Sequence, residues 1–195
     1  MTQEHEQPAA ARGKVLDALA RAERAVFTRK IPQSAKAKVE FLLTRTKAST
    51  KELAERLGTS RRTVERYRVG KLKTPQKKLQ EALVRETESE WQPQVRAQAR
   101  ERAATSGGMW VECEAYFGFT ANGSSDDGRV RYISTPISPT YVAQILAARD
   151  DGATEEDLQP IVAEAITESY FTEWGTRAQG LRADFTSVRY INLSF

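Results

Sequence analysis

The sequence predicts an α+β protein: an N-terminal all-α helix-turn-helix bundle, a linking helix, and a small C-terminal α+β domain with antiparallel strands. Three observations carry that prediction. Apolar residues recur at three- and four-residue spacing through the first half, alternate strictly over residues 109–120, and the charge changes sign between the two regions. Residues 1–104 hold 24 Lys and Arg against 13 Asp and Glu, a net +11, whereas residues 105–195 hold 6 against 13, a net −7. At 195 residues the chain can bury two modest cores.

Residues 1–13, with the lone His5, are expected to form a disordered tail. The helix-turn-helix domain is expected over residues 14–76. Its first helix covers residues 14–28, with Val15, Leu16, Leu19, Ala22 and Val26 on one broad face, and Pro32 ends that region. A second helix over residues 36–46 offers Val39, Leu42 and Leu43 as the core on which the motif packs. Leu53, Ala54 and Leu57 then share one face of a short helix, and Gly58 stands where a left-handed residue would end it. Thr59 or Ser60 can cap the next helix, in which Val64 and Tyr67 face inward. Ser60, Arg61, Arg62, Glu65 and Arg66 are left pointing outward, with Arg68 following. The small Ala54 suits a close crossing of the two helices.

A basic linking helix is expected over residues 77–104. Its pattern runs through Leu79, Ala82, Leu83, Glu90 and Trp91, and Arg96, Arg100 and Arg102 extend its basic face. Pro93 lacks an amide donor and crowds the preceding turn, so a kink or a break is expected near Trp91. This helix reads as a lever to the second domain, and it can also pair with a copy of itself to give a homo-oligomer.

The second domain is expected over residues 105–195. Val111, Cys113, Ala115, Phe117 and Phe119 alternate with Glu112, Glu114 and Tyr116, the period of a strand. A Gly-, Asn-, Ser- and Asp-rich loop follows, and a second strand over residues 129–135 completes a hairpin closed off by Pro136 and Pro139. A helix is expected over residues 140–149 with Tyr141, Ile145 and Leu146 inward, and another from residue 154 to about residue 173. Thr154 and Asp157 stand at capping-box spacing, with a short carboxylate in place of the usual Glu or Gln. Residues 180–195 read as one or two strands through Phe185, Val188, Tyr190, Leu193 and Phe195.

Single Cys113 and His5 residues permit neither an internal disulfide, nor a cysteine-histidine metal site, nor a histidine-based triad. The pairs Glu112/Glu114 and Asp126/Asp127 lack a recognisable third ligand, so no metal site and no small-molecule cofactor are expected. No apolar run is long enough to cross a membrane and the N-terminus lacks a signal-peptide layout, so a cytoplasmic protein is expected. The basic half points instead to DNA, whose duplex carries a phosphate charge about every 1.7 Å of axis. Lys71, Lys73, Lys77 and Lys78 surround Thr74 and Pro75 in a polar stretch suited to gripping a backbone, while Arg61, Arg62 and Arg66 can reach guanine edges or phosphates. An amphipathic helical hairpin with a solvated basic face is the plainer alternative.

Five blocks, in order, give a more specific expectation. They are the helix-turn-helix core from Leu53 to Tyr67, Trp91-Gln92-Pro93-Gln94-Val95-Arg96 leading to Arg102-Ala103-Ala104-Thr105, Phe117-Gly118-Phe119-Thr120, Asp151-Gly152-Ala153-Thr154-Glu155, and Arg177-Ala178-Gln179-Gly180-Leu181. From about residue 15 onward the chain resembles the telomere-protecting terminal proteins, the Tpg type, of actinomycete linear chromosomes and plasmids. The resemblance implies covalent attachment to the 5′ ends of linear replicons, where a side-chain hydroxyl, normally a threonine, primes end-patching synthesis. It implies telomeric DNA with a folded 3′ overhang, a telomere-associated helper protein and a DNA polymerase as partners. The divalent metal and the deoxynucleotide would come with the polymerase, and the protein would act as primer and nucleotidyl acceptor more than as an enzyme, associated with the nucleoid at replicon ends. The family's threonine pair corresponds to Ser124 and Ser125 in the candidate loop 120–128. Ser125 ranks first as acceptor, then Ser124 and Thr120, with Thr105 and Ser106 as outsiders. The alternative from another class is a helix-turn-helix transcriptional regulator with a C-terminal dimerisation or sensing domain.

Overall fold

A computed structural model describes residues 14–120, 128–171 and 182–195. In chain order it contains helices α1 (Val15–Ala25), α2 (Ala35–Arg45), α3 (Thr50–Arg56), α4 (Arg61–Arg68), α5 (Lys77–Glu90) and α6 (Pro93–Arg102). A π turn (Ala103–Gly107), strands β1 (Met109–Thr120) and β2 (Arg129–Ile137), helices α7 (Pro139–Asp150) and α8 (Glu155–Ile166), a second π turn (Thr167–Phe171) and strand β3 (Arg182–Ser194) complete it. The class is α+β, as the sequence predicts. The chain divides into a helical unit, Phe27–Val95, and a sheet unit formed by Met1–Val26 with Arg96–Phe195. The helical unit holds 17 Lys and Arg against 8 Asp and Glu, net +9, which leaves −5 for the other.

The helical unit closes around Val39, Leu42, Leu43, Leu53, Leu57, Val64, Tyr67 and Leu83, contributed by α2, α3, α4 and α5. Fully burying each of the larger aliphatic side chains stabilises the unit by about 1.5–3 kcal/mol. Serines start three of its helices: Ser34 accepts from the Ala37 N–H at 3.1 Å, Ser49 from Glu52 at 3.2 Å and Ser60 from Thr63 at 3.1 Å.

Two sequence expectations change here. The linking helix over residues 77–104 is two helices, and the first is part of the bundle. Ala82, Leu83 and Thr87 of α5 are buried, and the Arg56 guanidinium of α3 holds Glu86 at 2.8 Å and Glu90 at 3.0 Å. After α5, Gln92 takes a positive φ of 43° and Pro93 opens α6, so of the kink or break expected near Trp91 the chain makes the break, and the proline restarts the helix.

The second change concerns α1, which joins the sheet unit and not the bundle. Val15, Ala18, Leu19 and Ala22 lie in one core with Val111, Phe117, Ile145, Val162, Ile191 and Leu193. Polar contacts fix the same choice. Arg21 donates to the Ile191 carbonyl at 2.7 Å, and the buried Glu23 carboxylate lies 2.8 Å from Arg149 and 3.8 Å from Arg100, which also pairs with Asp150. An apolar stripe states that a helix must be covered; it does not say by what.

The sheet is antiparallel in the order β2-β1-β3, with Glu112 opposite Ser134 on one side and Asn192 on the other. Val111, Cys113, Ala115 and Phe117 are fully buried on one face of β1, while Trp110 and Tyr132 are exposed on the opposite face. Residues 182–194 form one strand, with an irregularity opposite Glu114/Tyr116 and a left-handed Ser187. Helix α7 starts with its proline at the first helical position, and Val142 takes an inward place with Ile145 and Leu146 while Tyr141 is only half-buried. Helix α8 passes at Ile166 into the π turn Thr167–Phe171, and its expected end at about residue 173 lies outside the described residues; it carries the Thr154–Asp157 capping box, in which Asp157 accepts from the Thr154 N–H at 2.8 Å and Thr154 from the Asp157 N–H at 3.3 Å. The Thr154 hydroxyl, donating to Asp157 Oδ2 at 2.7 Å, and then the Thr154 N–H hold the Asp157 carboxyl below its ordinary value. Among the described residues no helix is long and apolar enough to cross a membrane.

Candidate nucleic-acid interface

Helix α4 is anchored on one side only. Val64 and Tyr67 are 1% and 4% exposed, and their three-residue spacing turns them both into the bundle. Arg62, Arg66 and Arg68 are exposed and make no ion pair among the described residues. Arg61 is committed differently from the expectation: its Nε donates to Glu65 Oε1 at 2.9 Å and to Thr50 Oγ1 at 3.0 Å. Ser60 also falls outside the recognition set, because its hydroxyl caps the helix and lies 2.8 Å from the Thr63 hydroxyl. The uncommitted cations of α4 are therefore Arg62 and Arg66, neighbours on one side of the helix, and Arg68 at the opposite edge of the exposed surface, with the Arg61–Glu65 pair between.

The corner that presents α4 follows from one dihedral. Gly58 has φ of +61°, its N–H reaches the Glu55 carbonyl at 3.1 Å, and the Thr59 N–H reaches Ala54 at 2.9 Å. A Cβ at Gly58 would meet nothing within 4 Å, so the left-handed backbone, not lack of room, selects glycine. Ala54 is 4% exposed on the inner side of the same helix pair.

Beyond α4 the backbone is pinned, and its lysines make no ion pair among the described residues. The Lys71 N–H donates to the Arg66 carbonyl at 2.9 Å, Leu72 packs on the core, and the Tyr67 hydroxyl donates to the Thr74 carbonyl at 3.2 Å. Lys71, Lys73, Lys77 and Lys78 are all exposed around this segment. Lys77 and Lys78 occupy the first turn of α5, while Glu86, Glu88 and Glu90 occupy its last two turns. Both placements oppose the helix macrodipole, at about 0.3–1 kcal/mol per charge. Arg56 offsets the acidic end, and the basic end keeps Lys77 and Lys78 exposed.

The acceptor candidates are placed unevenly. Ser124 and Ser125 lie outside the described residues, and Thr120 is the last residue of β1, its backbone opposite Arg182. The candidate loop thus begins inside a strand. Thr105 and Ser106 return their hydroxyls to the Glu101 and Arg102 carbonyls at 2.8 and 3.4 Å, which makes them structural. Glu114 pairs with Arg189 at 3.2 Å. Cys113 is buried and its thiol is pushed up to about 12, so it stays protonated and unreactive at neutral pH.

Sequence reading passes over one further grouping. Arg29, Phe41, Arg45 and Trp91 line a cleft of about 520 Å³ within the helical unit. Phe41 and Arg45 stand four apart on α2, a legible pairing, but Trp91 reads as a helix break and Arg29 as a loop charge until the fold joins them.

The geometry defines a helix-turn-helix unit with a cationic second helix, carried on the same chain as a three-stranded antiparallel sheet with helices packed in its core. No protein-family model, no curated protein and no solved structure matches this chain.

Proposed function

We propose that this chain binds duplex DNA through α4 and serves as a terminal protein of linear replicons. One observation carries the DNA reading: Arg62, Arg66 and Arg68 project from a helix anchored by Val64 and Tyr67, in a unit of net charge +9. An exposed helix of eight residues fits a major groove, where arginine reads guanine bidentately, and the lysines after it neutralise flanking phosphates. The priming role rests on the five ordered sequence blocks that resemble the terminal-protein family. In that reaction the hydroxyl oxygen of Ser125, or of Ser124 or Thr120, attacks the α-phosphate of a deoxynucleotide. A phosphodiester forms, pyrophosphate leaves, and the hydroxyl proton is lost to solvent. This chain contributes the oxygen and its position; the polymerase contributes the metal ions.

The test is to incubate the chain with telomeric template, DNA polymerase and labelled deoxynucleotide, beside Ser125→Ala, Ser124→Ala and Thr120→Ala variants. Loss of label in one variant identifies the acceptor. Label that persists in all three removes the loop assignment. Absence of any adduct, with the protein released from DNA by salt and detergent, favours the transcriptional regulator.

A further inference from the structure

We infer that the cleft lined by Arg29, Phe41, Arg45 and Trp91 binds one unpaired nucleotide of a DNA single strand, separate from the duplex contacts of α4. This deepens the nucleic-acid reading and draws on different residues. The cleft joins the two kinds of group that hold a nucleotide, aromatic surface for the base and guanidinium for the phosphate. Phe41 and Trp91 meet edge to face, with ring centroids 5.0 Å apart at an interplanar angle of 70°. Arg29 stands 6.0 Å over the Trp91 ring and Arg45 stands 5.1 Å over Phe41. Both guanidiniums are exposed, and neither makes an ion pair with a carboxylate among the described residues.

The walls are held in place before any ligand arrives. Trp91 Nε1 donates to the Arg29 carbonyl at 3.2 Å, which fixes the indole against the segment that carries the first arginine. The Gln92 side chain is bonded twice to Thr28, accepting from its N–H at 3.0 Å and donating to its hydroxyl at 2.9 Å. Gln92 keeps a left-handed φ of 43°, a conformation a non-glycine residue adopts at a cost, which those two bonds sustain. At about 520 Å³ the cleft falls in the size range of small-molecule sites, roughly 300–1,000 Å³. It lies at the opposite end of α5 from Lys77, and the 14 residues between place it about 20 Å from the lysine segment along the helix. A duplex on α4 and Lys77 therefore does not occupy it through the same contacts.

The experiment uses the full chain and a fluorescein-labelled oligothymidylate of ten nucleotides, followed by anisotropy, with a labelled hairpin duplex as the second probe. Arg29→Gln and Arg45→Gln are each expected to weaken oligothymidylate binding about tenfold and to leave hairpin binding within about twofold. Trp91→Phe keeps a ring in place and is expected to lose less than Trp91→Ala, with circular dichroism reporting whether the Ala variant folds. Arg62→Gln is expected to do the reverse of the cleft variants, weakening the hairpin alone. Unchanged oligothymidylate binding in both arginine variants, or none by the parent chain, overturns the assignment while leaving the duplex reading intact. Thymidine 5′-monophosphate displacing the oligonucleotide at equal concentration would mean that free nucleotide is the ligand, and it overturns the strand assignment. Loss of hairpin binding to the parent chain with the cleft result intact would sink the duplex reading alone.

Discussion

Glu155, the first residue of α8, caps the helix that begins at Val15. Its Oε1 accepts the Val15 N–H at 2.7 Å and its Oε2 accepts the Leu16 N–H at 3.2 Å, across 140 residues of chain. Lys14 supplies no cap of its own, so this carboxylate satisfies two donors of α1 while sitting in the first turn of α8. It therefore lies at the positive ends of two helices. Glu155→Ala is expected to lower stability by about 1–2 kcal/mol, and Glu155→Gln by less, since an amide oxygen can still accept one bond. Urea unfolding followed by circular dichroism measures both. An unmoved midpoint for the alanine variant would show that the cap carries no net stability.

Thr87 on α5 is fully buried and its hydroxyl has no hydrogen-bond partner among the described residues. Valine has nearly the same shape without the desolvated oxygen. Thr87→Val is expected to stabilise the helical unit by about 1 kcal/mol, with a raised thermal midpoint. A lowered midpoint would mean that the hydroxyl is bonded in solution.

Stability should fall at alkaline pH for a reason written into the sheet. Burial pushes the Cys113 thiol from its ordinary value near 9 up to about 12, and burial together with Glu164 and Glu168 pushes the Tyr141 hydroxyl from near 10 up to about 12. The unfolded chain releases both protons earlier than the folded one. The stabilisation is complete below pH 9 and is lost as pH rises toward 12. Cys113→Ala is expected to be less stable at neutral pH through its small cavity, yet to lose stability less steeply between pH 9 and 12. Parallel curves for the two proteins would remove the thiol from this account.

On DNA, the arginines of α4 and the lysines of α5 are expected to behave differently. Arg62→Ala should cost about 1–3 kcal/mol on a cognate site and relax the preference for it over random sequence. Lys77→Gln with Lys78→Gln should weaken binding to all sequences alike and reduce the slope of log K against log salt by about 2. Titrations at several salt concentrations with both probes separate the two. Equal losses on cognate and random DNA from both variants would take base reading away from α4. Arg61→Ala should do less than Arg62→Ala, because Arg61 already pairs with Glu65.

What the sequence determined by itself is local. Apolar spacing located α2, α3 and α4, Gly58 marked the left-handed corner, Val64 and Tyr67 identified the anchored side of α4, and alternation located β1 over residues 109–120. Thr154 and Asp157 announced their capping box because both partners lie within one turn. Each of these signals is carried by neighbours in the chain, so a period or a spacing encodes it. What only the tertiary structure decided is partnership. The stripe of α1 fits any apolar surface, and its assignment to the sheet depends on Glu155, Arg149 and Ile191, more than a hundred residues away. The folding of α5 onto the bundle depends on Arg56 reaching Glu86 and Glu90, the bond of Arg61 to another helix on Thr50, and the cleft on Arg29 and Phe41 meeting Trp91. A hydrophobic stripe or a free charge is degenerate in sequence, since many surfaces satisfy it equally; the degeneracy is lifted only when hydrogen bonds and ion pairs of fixed geometry admit one partner and exclude the rest.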